Sequence, residues 1–288
     1  MKIVLDMNKS VEENASHYFD RAKKARKKID GVKKTLELFE KRKEQAQRKE
    51  QDDFSITKIS QEKKYWYEKF KWFISSEGFL VVGARDATTN EVLIKKHVQE
   101  NDIVFHTEMA GSPFVVIKKN KEDVKRLLKD VSDIKEPTQA SLEEAAMFTF
   151  LNSKAWKSNI ASAQVFFVQP SQVSKTANSG EYLTKGAFMI RGEKNFITPD
   201  LDVAVGVVIK AKQNPFVVAG PLQALETYCQ EIFPLRQGNQ KSGDIAKNII
   251  YKIQSKYQIQ FTINDVTHIL PTGIELIKQR PRKYELKK

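Results

Sequence analysis

Cysteine and histidine are scarce in this sequence, and long apolar runs are absent. One cysteine, Cys229, excludes an intramolecular disulfide and a cysteine-based zinc cluster. The four histidines are scattered without an HExxH spacing, so we predict no metal site. No apolar run approaches the ~20 residues that cross a bilayer, and the mean hydropathy is −0.50. Because the N-terminus also lacks the apolar core of a signal peptide, we expect the chain to be cytoplasmic.

Positive charge is abundant and unevenly distributed. The formal net charge is +13, and residues 21–50 hold thirteen Lys/Arg against five Asp/Glu. A basic balance concentrated in this way favours a polyanionic partner. The alternative interpretation is a solvated helix face. An anionic membrane fits less well, because the apolar residues of this segment form a narrow seam rather than a broad face.

A heptad pattern begins close to the N-terminus. Ser10 and Glu13 have the spacing of a capping box. The apolar positions that follow step by four and three: Val11, Ala15, Tyr18, Ala22, Ala25, Ile29, Val32, Leu36 and Phe39. This seam predicts a helix to about residue 50, and a second seam from Ile56 to Phe73 predicts the returning arm of a coiled-coil hairpin. The longer first arm needs another partner, either a domain outside this chain or a second copy of it.

After Phe73 the pattern changes to short β-branched runs separated by turns. We predict strands at 79–83, 102–106, 114–118, 164–169, 186–191, 203–209 and 215–219, and a strand remnant at 1–6. We predict helices at 90–98, 122–131, 141–162, 222–230, 243–256 and 263–269. The order is not a regular βαβ alternation, which indicates an α+β fold with a mixed or antiparallel sheet and packed helices. We therefore divide the chain into a hairpin at 1–70, an α+β domain at 71–220 and a C-terminal helical part of that domain at 221–288.

A glycine-rich segment at 173–196 interleaves basic and aromatic residues. Its polar and aromatic members include Lys175, Tyr182, Lys185, Phe188, Arg191, Lys194 and Asn195. Cations can contact RNA phosphates while rings stack on unpaired bases, so this composition favours RNA contact. The alternative is an ordinary hairpin in which Phe188 and Met189 belong to the core.

Two further segments carry groups that could do chemistry. His106 ends a predicted strand before a glycine-containing loop, where it could be a general base, a polar contact or a structural hydrogen-bonding group. Arg85, in a turn, could contact phosphate or pair with Asp86. The stretch at 238–243 departs from a phosphate-binding loop, because its lysine precedes the second glycine and no strand comes before it. We predict no cofactor.

Three long stretches of this sequence resemble one family. They are WYEKFKWFISSEGFLVVGARDATTNEVLIKKH at 66–97, DIVFHTEMAGSPFVVIK at 102–118 and VSKTANSGEYLTKGAFMIRGEKNF at 173–196. They resemble the C-terminal RNA-binding domain, NFACT-R, of the NFACT ribosome quality-control factors, which include NEMF. Residues 5–31 resemble the junction that leads into the coiled coil of that family. The family's N-terminal domain has no counterpart here, which implies a fragment and leaves peptide tailing by this chain in doubt.

The resemblance implies a partner of the large ribosomal subunit that carries a stalled peptidyl-tRNA. It implies contacts with tRNA and large-subunit rRNA, and no catalysis by this chain. The polar positions that it places at or beside the RNA surface are Arg85, Asp86, His106, Ser112, Lys118, Lys175, Glu181, Tyr182, Arg191, Lys194 and Asn195; the glycine-rich segment adds Lys185.

Two alternatives from other classes stay open. One is a hydrolase or nuclease, with or without a metal, centred on His106 with Glu108 or Asp86. The other is a scaffold that forms a homodimer through the overhanging seam.

Overall fold

The computed structural model describes residues 4–8, 10–52, 65–109, 111–128, 130–176, 182–209 and 214–277, with the backbone alone at 34, 38, 39 and 41–52. Two compact units divide the chain, Met1–Glu62 and Lys63–Lys288, and each is described by itself. None of the helices within the described ranges is both long and apolar enough to cross a membrane.

The first unit contains one long helix, α1 (Val11–Asp52). The predicted capping box begins it. The Ser10 amide donates to Glu13 Oε2 at 2.8 Å, and the Glu13 amide donates to Ser10 Oγ at 3.1 Å. Seam residues Val11, Ile29 and Val32 are exposed in this unit. Residues 4–6 are not a strand, and residues 1–3 of that prediction lie outside the described ranges.

The second unit opens with strands and short helices. Its first elements are β1 (Lys71–Ile74), β2 (Leu80–Gly83), α2 (Ala87–Lys96), β3 (Ile103–Thr107), β4 (Val115–Lys118), α3 (Glu122–Leu127), α4 (Gln139–Leu151), α5 (Lys154–Lys157) and β5 (Val165–Val168). The remainder comprises β6 (Val173–Ser174), β7 (Met189–Ile190), β8 (Asn195–Ile197), β9 (Val203–Val208), β10 (Phe216–Pro221), α6 (Leu222–Tyr228), β11 (Glu231–Gln237), α7 (Ser242–Tyr257), α8 (Ile263–Thr267) and β12 (Ile274–Leu276). The α+β prediction is confirmed.

The strands form two main sheets, and every described pairing is antiparallel. The six-stranded sheet has the order β1-β2-β4-β3-β5-β8, and the four-stranded sheet has the order β10-β9-β11-β12. A third, two-stranded sheet joins β6 to β7. Strand β8 is therefore an edge strand, and its first two residues are the last two of the segment 173–196, for which the sequence predicted RNA contact.

Helix α4 is the centre of the core. It packs on β3, β4 and β5 of the larger sheet and on β10 of the smaller one. Its residues 144–151 are all buried, as expected of a helix with protein on every side. The larger sheet is also covered on its other face. Consecutive strand residues such as Phe73 and Ile74 point to opposite faces of the sheet, and they belong to two different core clusters.

Several predicted elements need correction. The end of the predicted second arm is a short 3-10 helix, Trp66–Lys69, followed by β1, because Ser75 and Phe79 close a tight turn that pairs β1 with β2. Residues 56–64 of that arm lie outside the described ranges. The predicted helix at 141–162 ends at Leu151, and Ser153 caps a new turn by accepting from the Trp156 amide.

Five strands escaped prediction: β1, β6, β8, β11 and β12. Strand β11 was not predicted because it contains Pro234. Proline lacks an N–H and is unusual in a strand with neighbours on both sides. The carbonyl of Pro234 accepts a hydrogen bond from the Ile277 amide at 3.0 Å.

Gly206 of β9 gives a test of this packing. A Cβ there would clash with Sγ of Cys229 and lie 3.4 Å from Cδ1 of Leu225. Overpacking of this kind costs about 1–3 kcal/mol, so Gly206→Ala should lower the free energy of unfolding in urea by that amount. Adding Cys229→Ala should recover part of the loss, because it removes the sulfur. Gly243→Ala, where a Cβ meets nothing within 4 Å, is the control; equal stability of Gly206→Ala and Gly243→Ala would contradict the packing.

Candidate nucleic-acid interface

The start of α2 fixes the role of Asp86. Its Oδ1 accepts from the Thr89 amide at 2.8 Å, and Thr89 Oγ1 accepts from the Asp86 amide at 2.9 Å. The hydrogen bond from the Thr89 backbone is the main reason that the pKa of Asp86 is lowered. This capping box is worth about 1 kcal/mol to a helix, so Asp86 has a structural task beside any contact with a ligand.

Arg85 does not pair with its neighbour. Its Nη2 donates to the carbonyl oxygen of Phe70 at 2.9 Å, and Asp86 is not within ion-pair distance of it in the described structure. Of the two interpretations offered by the sequence, the pair with Asp86 is therefore wrong. Most of the five guanidinium donors stay available to a ligand.

Lys175 holds the glycine-rich segment against α2. Its Nζ donates to the carbonyl oxygens of Thr184 at 3.0 Å and Ala187 at 2.9 Å, and lies 2.9 Å from Glu91 Oε1. An ammonium group has three donors, so these contacts occupy it fully. Lys175 thus holds the segment in place and is not a free cation on its surface.

Gly186 makes the contact with α2 close. The backbone there has φ +81°, and a Cβ would lie 2.6 Å from Cα of Ala87, so only glycine fits. The Gly186 amide donates to Glu91 Oε1 at 3.2 Å. The hydrogen bond from Lys175, then this amide and Lys95, lower the pKa of Glu91 to about 2. The described part of the segment around Gly186 is therefore clamped against α2.

A row of aromatic rings, which includes Phe188 of the glycine-rich segment, packs in the same region. Ring centroids are 5.5 Å apart for Phe188 and Phe114, 4.6 Å for Phe114 and His106, and 5.9 Å for His106 and Phe166. Phe196 of β8 continues the row at 6.1 Å from Phe166. Two cations lie over this row: Lys175 is 5.0 Å from the Phe188 ring, and Lys194 is 4.5 Å from the Phe166 ring.

His106 is a member of this row. Its Nδ1 is 2.6 Å from the carbonyl oxygen of Thr107, and its Nε2 is 3.1 Å from that of Ser112. Burial lowers the pKa of His106, although both carbonyl contacts oppose the change. Glu108 instead pairs with Lys194 at 2.7 Å. In the described structure, neither ring nitrogen has a carboxylate partner, so the arrangement that the hydrolase hypothesis requires is not assembled.

Two predicted surface residues lie beneath the surface. Lys118 is buried in an ion pair with Asp102, with side chains 8% and 1% exposed, and also donates to the His97 carbonyl oxygen. Ser112 is 7% exposed. The expectation that these two side chains border an RNA surface is corrected, because both are buried. Lys118, moreover, could not exchange Asp102 for a ligand without a large loss of stability, since a buried charge needs its partner.

Five side chains near the ring row in sequence are exposed and one is partly exposed, and we call this set the loop face. Its exposed members are Tyr182, Lys185, Arg191, Asn195 and Phe196, and its partly exposed member is Lys194. Tyr182 is 88% exposed and Phe196 is 49% exposed, which is unusual for large rings. Arg191 donates through Nη2 to the Thr176 carbonyl oxygen at 3.1 Å. Glu181 lies outside the described residues.

The exposed rings and cations on a clamped segment fit contact with nucleic acid, and the comparison with known families agrees. The family model of the NFACT protein RNA binding domain matches residues 69–192. The chain belongs to the NFACT family. This match confirms the resemblance found in the sequence. The match includes the loop-face residues Tyr182, Lys185 and Arg191, whereas Lys194, Asn195 and Phe196 follow its end.

Relatives of this NFACT chain are named as ribosome quality-control proteins. It is 38% identical to the archaeal Rqc2 homolog aRqcH of Methanocaldococcus jannaschii over 77% of this chain and 31% of that one. It is also 38% identical to the human ribosome quality control complex subunit NEMF, over 65% of this chain and 16% of that one. The chain thus spans about a third or less of these relatives' length. The C-terminal part of a fibronectin/fibrinogen-binding protein from Streptococcus suis is more distant, with 19% identity over 50% of this chain and 51% of that one and a TM-score of 0.35.

Four residues of the candidate site were not predicted from the sequence: Glu91, Asn90, Gln172 and Phe196. Asn90 donates to the Gly186 carbonyl oxygen at 3.4 Å and accepts from the Phe114 amide at 3.0 Å. Gln172 donates to the carbonyl oxygens of Arg191 and Glu193 at 2.9 and 2.8 Å. Asn90, Glu91 and Gln172 act on partners far along the chain, so no local signal reveals them. For Phe196, the basic neighbour Lys194 was the available signal.

The clamp predicts a specific consequence of Glu91→Gln. The glutamine keeps an acceptor for Gly186 but loses the charge that holds Lys175, so opening of the segment becomes easier. Hydrogen exchange at the amides of Gly186 and Ala187 should accelerate about tenfold. Exposed Glu100→Gln on the loop before β3 is the control and should leave these amides unchanged.

The contacts of Glu91 with Lys175 and Gly186 also have a defined pH dependence. Because the pKa of Glu91 is lowered, the stabilisation is present above the ordinary carboxyl pKa and is lost as the pH falls through about 2. A carboxyl titration of Glu91 by NMR with an ordinary midpoint, or unchanged exchange in Glu91→Gln, would contradict the clamp.

Proposed function

We propose that this chain binds tRNA and large-subunit rRNA through the loop face, on a large ribosomal subunit that carries a stalled peptidyl-tRNA in the cytosol. Its membership of the NFACT family and the match to that family's RNA-binding domain support RNA as the ligand. The names of its relatives support a place in ribosome quality control. The single observation that carries the proposal is the exposure of Tyr182 and Phe196 among basic side chains.

Phosphate contact is the first part of the proposed binding mode. Lys185 and Arg191 are exposed, and Lys185 has no carboxylate within ion-pair distance among the described residues. Such cations displace the counterions of RNA phosphates, which makes affinity strongly dependent on salt. Lys194 contributes less, because Glu108 already neutralises it.

Base contact is the second part. An exposed ring offers a stacking surface to an unpaired base, and such a stack is worth about 1–3 kcal/mol. Phe196 is held by its cross-strand neighbour Phe166, so stacking there needs little further ordering of the side chain. Unpaired bases occur in loops and ends of tRNA and rRNA, which favours these RNAs over a regular duplex.

We propose binding without catalysis as the activity of the chain. The contacts of His106 with two carbonyl oxygens support a structural role for it. In the described ranges no three His, Cys, Asp or Glu residues converge in a way that could hold a metal ion.

A helical partner for α1 belongs to the same proposal. The seam residues Ile29, Val32 and Leu36 are 53%, 59% and 56% exposed. A helix gains most of its stability from packing such a seam, and a second copy of the chain would supply the matching one.

Salt-dependent RNA binding tests the proposal. Binding of the full chain to tRNA, measured by gel shift over a salt series, should weaken steeply as salt rises. The double variant Lys185→Ala/Arg191→Ala should lower the slope of log affinity against log salt by about two, since each lost phosphate contact accounts for about one.

The matched control removes two cations elsewhere. Lys125→Ala/Arg126→Ala on α3 leaves the same net charge, but these side chains pair with Glu122 and Asp123. The control should keep the parental slope. Undetectable binding, binding insensitive to salt, or equal slopes in the two double variants would contradict the proposed interface.

A further inference from the structure

We infer that Lys71 and Arg85 together form a binding site for a phosphate group, at the start of the six-stranded sheet. The inference deepens the proposed function and rests on it, since an RNA backbone phosphate is the expected occupant. Lys71 precedes the glycine-rich segment by a hundred residues of chain and was not among the residues predicted from sequence to contact RNA.

Strand register brings the two cations together. Lys71 of β1 is paired with Gly83 of β2, and Arg85 follows Gly83 by two residues. Arg85 lies just beyond the end of β2, in the bend that leads into α2, so the chain leaving β2 carries it past the start of β1. The hydrogen bond from Arg85 Nη2 to the Phe70 carbonyl oxygen at 2.9 Å fixes the guanidinium beside the backbone that leads into Lys71.

Neither cation forms an ion pair in the described structure. Lys71 Nζ donates to the Leu270 carbonyl oxygen at a long 3.3 Å, and Arg85 donates to that of Phe70. Among the described residues no carboxylate lies within ion-pair distance of either, and Asp86 is committed to capping α2. The ammonium has three donors and the guanidinium five, so most of their hydrogen-bonding capacity is unused.

Most of the buried or partly buried lysines in the described structure have a carboxylate partner, as in Lys118–Asp102 and Lys175–Glu91. Lys121 has none, but it donates to two carbonyl oxygens, at 2.6 and 2.8 Å. Lys71 has a single long contact with a carbonyl oxygen and lies near the charge of Arg85. Two like charges brought together without an anion are unfavourable, and an anion between them would remove the cost.

The electrostatics agree with the geometry. Burial, and then the charge of Arg85, lower the pKa of Lys71 to about 8. Burial likewise lowers the pKa of Arg85, with Asp86 opposing. Both changes mean that the charged forms lack compensation in the free protein, which a bound anion would supply.

A phosphate group suits this pair better than a carboxylate does. The guanidinium can donate two parallel hydrogen bonds to two phosphate oxygens, while the lysine acts as a point charge on a third. A purely structural role, holding the carbonyls of Phe70 and Leu270, needs one donor from each side chain and no positive charge. Replacing the charge while keeping a donor therefore separates the two roles.

The experiment follows inorganic phosphate binding by NMR at constant ionic strength. We expect saturable shifts of the Arg85 side-chain Nε–H and of the amides of Lys71 and Asp86. Lys71→Gln and Arg85→Gln should abolish saturation, whereas Lys71→Arg should retain it. Lys96→Gln, at an exposed lysine near the end of α2, is the control and should titrate like the parent chain. Because Arg85→Gln could unfold β1, Arg85→Lys is included, and unfolding curves are recorded for each variant.

A second arm identifies the source of the phosphate. Lys71→Gln should weaken tRNA binding about tenfold, the effect of losing one charged hydrogen bond, if the RNA backbone occupies the site. Loss of phosphate saturation with unchanged tRNA affinity would support the site and assign it to free phosphate or a mononucleotide. Absence of a saturable shift in the parent chain, together with parental tRNA affinity in Lys71→Gln, would overturn the site. That result would leave the loop-face variants to decide the proposed function separately.

Discussion

The ion pair between Lys175 and Glu91 is the contact on which the proposed interface depends. It joins the glycine-rich segment to α2. Glu91 also accepts a hydrogen bond from the Gly186 amide, and Lys175 also donates to the carbonyl oxygens of Thr184 and Ala187. A segment rich in glycine loses much conformational freedom when it is ordered. Because these contacts hold the segment when the chain folds, less conformational freedom is lost when exposed side chains such as Tyr182 and Arg191 bind a ligand.

The charges of this chain have two distinct uses. Some cations are internal, as Lys118 is with Asp102, and their value lies in the stability of the sheet. Others, such as Lys185, lie on the surface without a carboxylate partner in the described structure and are available to a polyanion. Composition alone cannot separate these uses, because both appear as the same excess of lysine over acid. Burial and pairing separate them, and they move the proposed RNA contacts towards the loop face.

Much of the fold could be predicted from sequence because it follows local rules. The heptad seam and the capping box at Ser10 gave α1, and the β-branched runs gave β2, β3 and β4. Prediction failed where distant partners decide. The spacing of Trp66, Phe70 and Phe73 suits a helix, but pairing with β2 makes this stretch a 3-10 turn and a strand.

The site shows the same limit. Its segment could be found from basic and aromatic residues, yet the function of each residue could not. Lys175 was expected on the surface and is a strut, while Asp86 is a cap and Glu91 was overlooked. Each of these roles depends on a contact across the fold or on the geometry of one turn, which a residue's identity does not reveal.

Ultraviolet crosslinking of the chain to tRNA, with the attached residues mapped by mass spectrometry, tests the central claim most directly. Stacked rings crosslink efficiently, so the account predicts attachment at Tyr182 and Phe196. Tyr251 on α7 provides an internal reference, since it is 75% exposed and lies outside the loop face. Attachment at Tyr251 equal to or above that at Tyr182 and Phe196 would contradict the loop face as the RNA-binding surface.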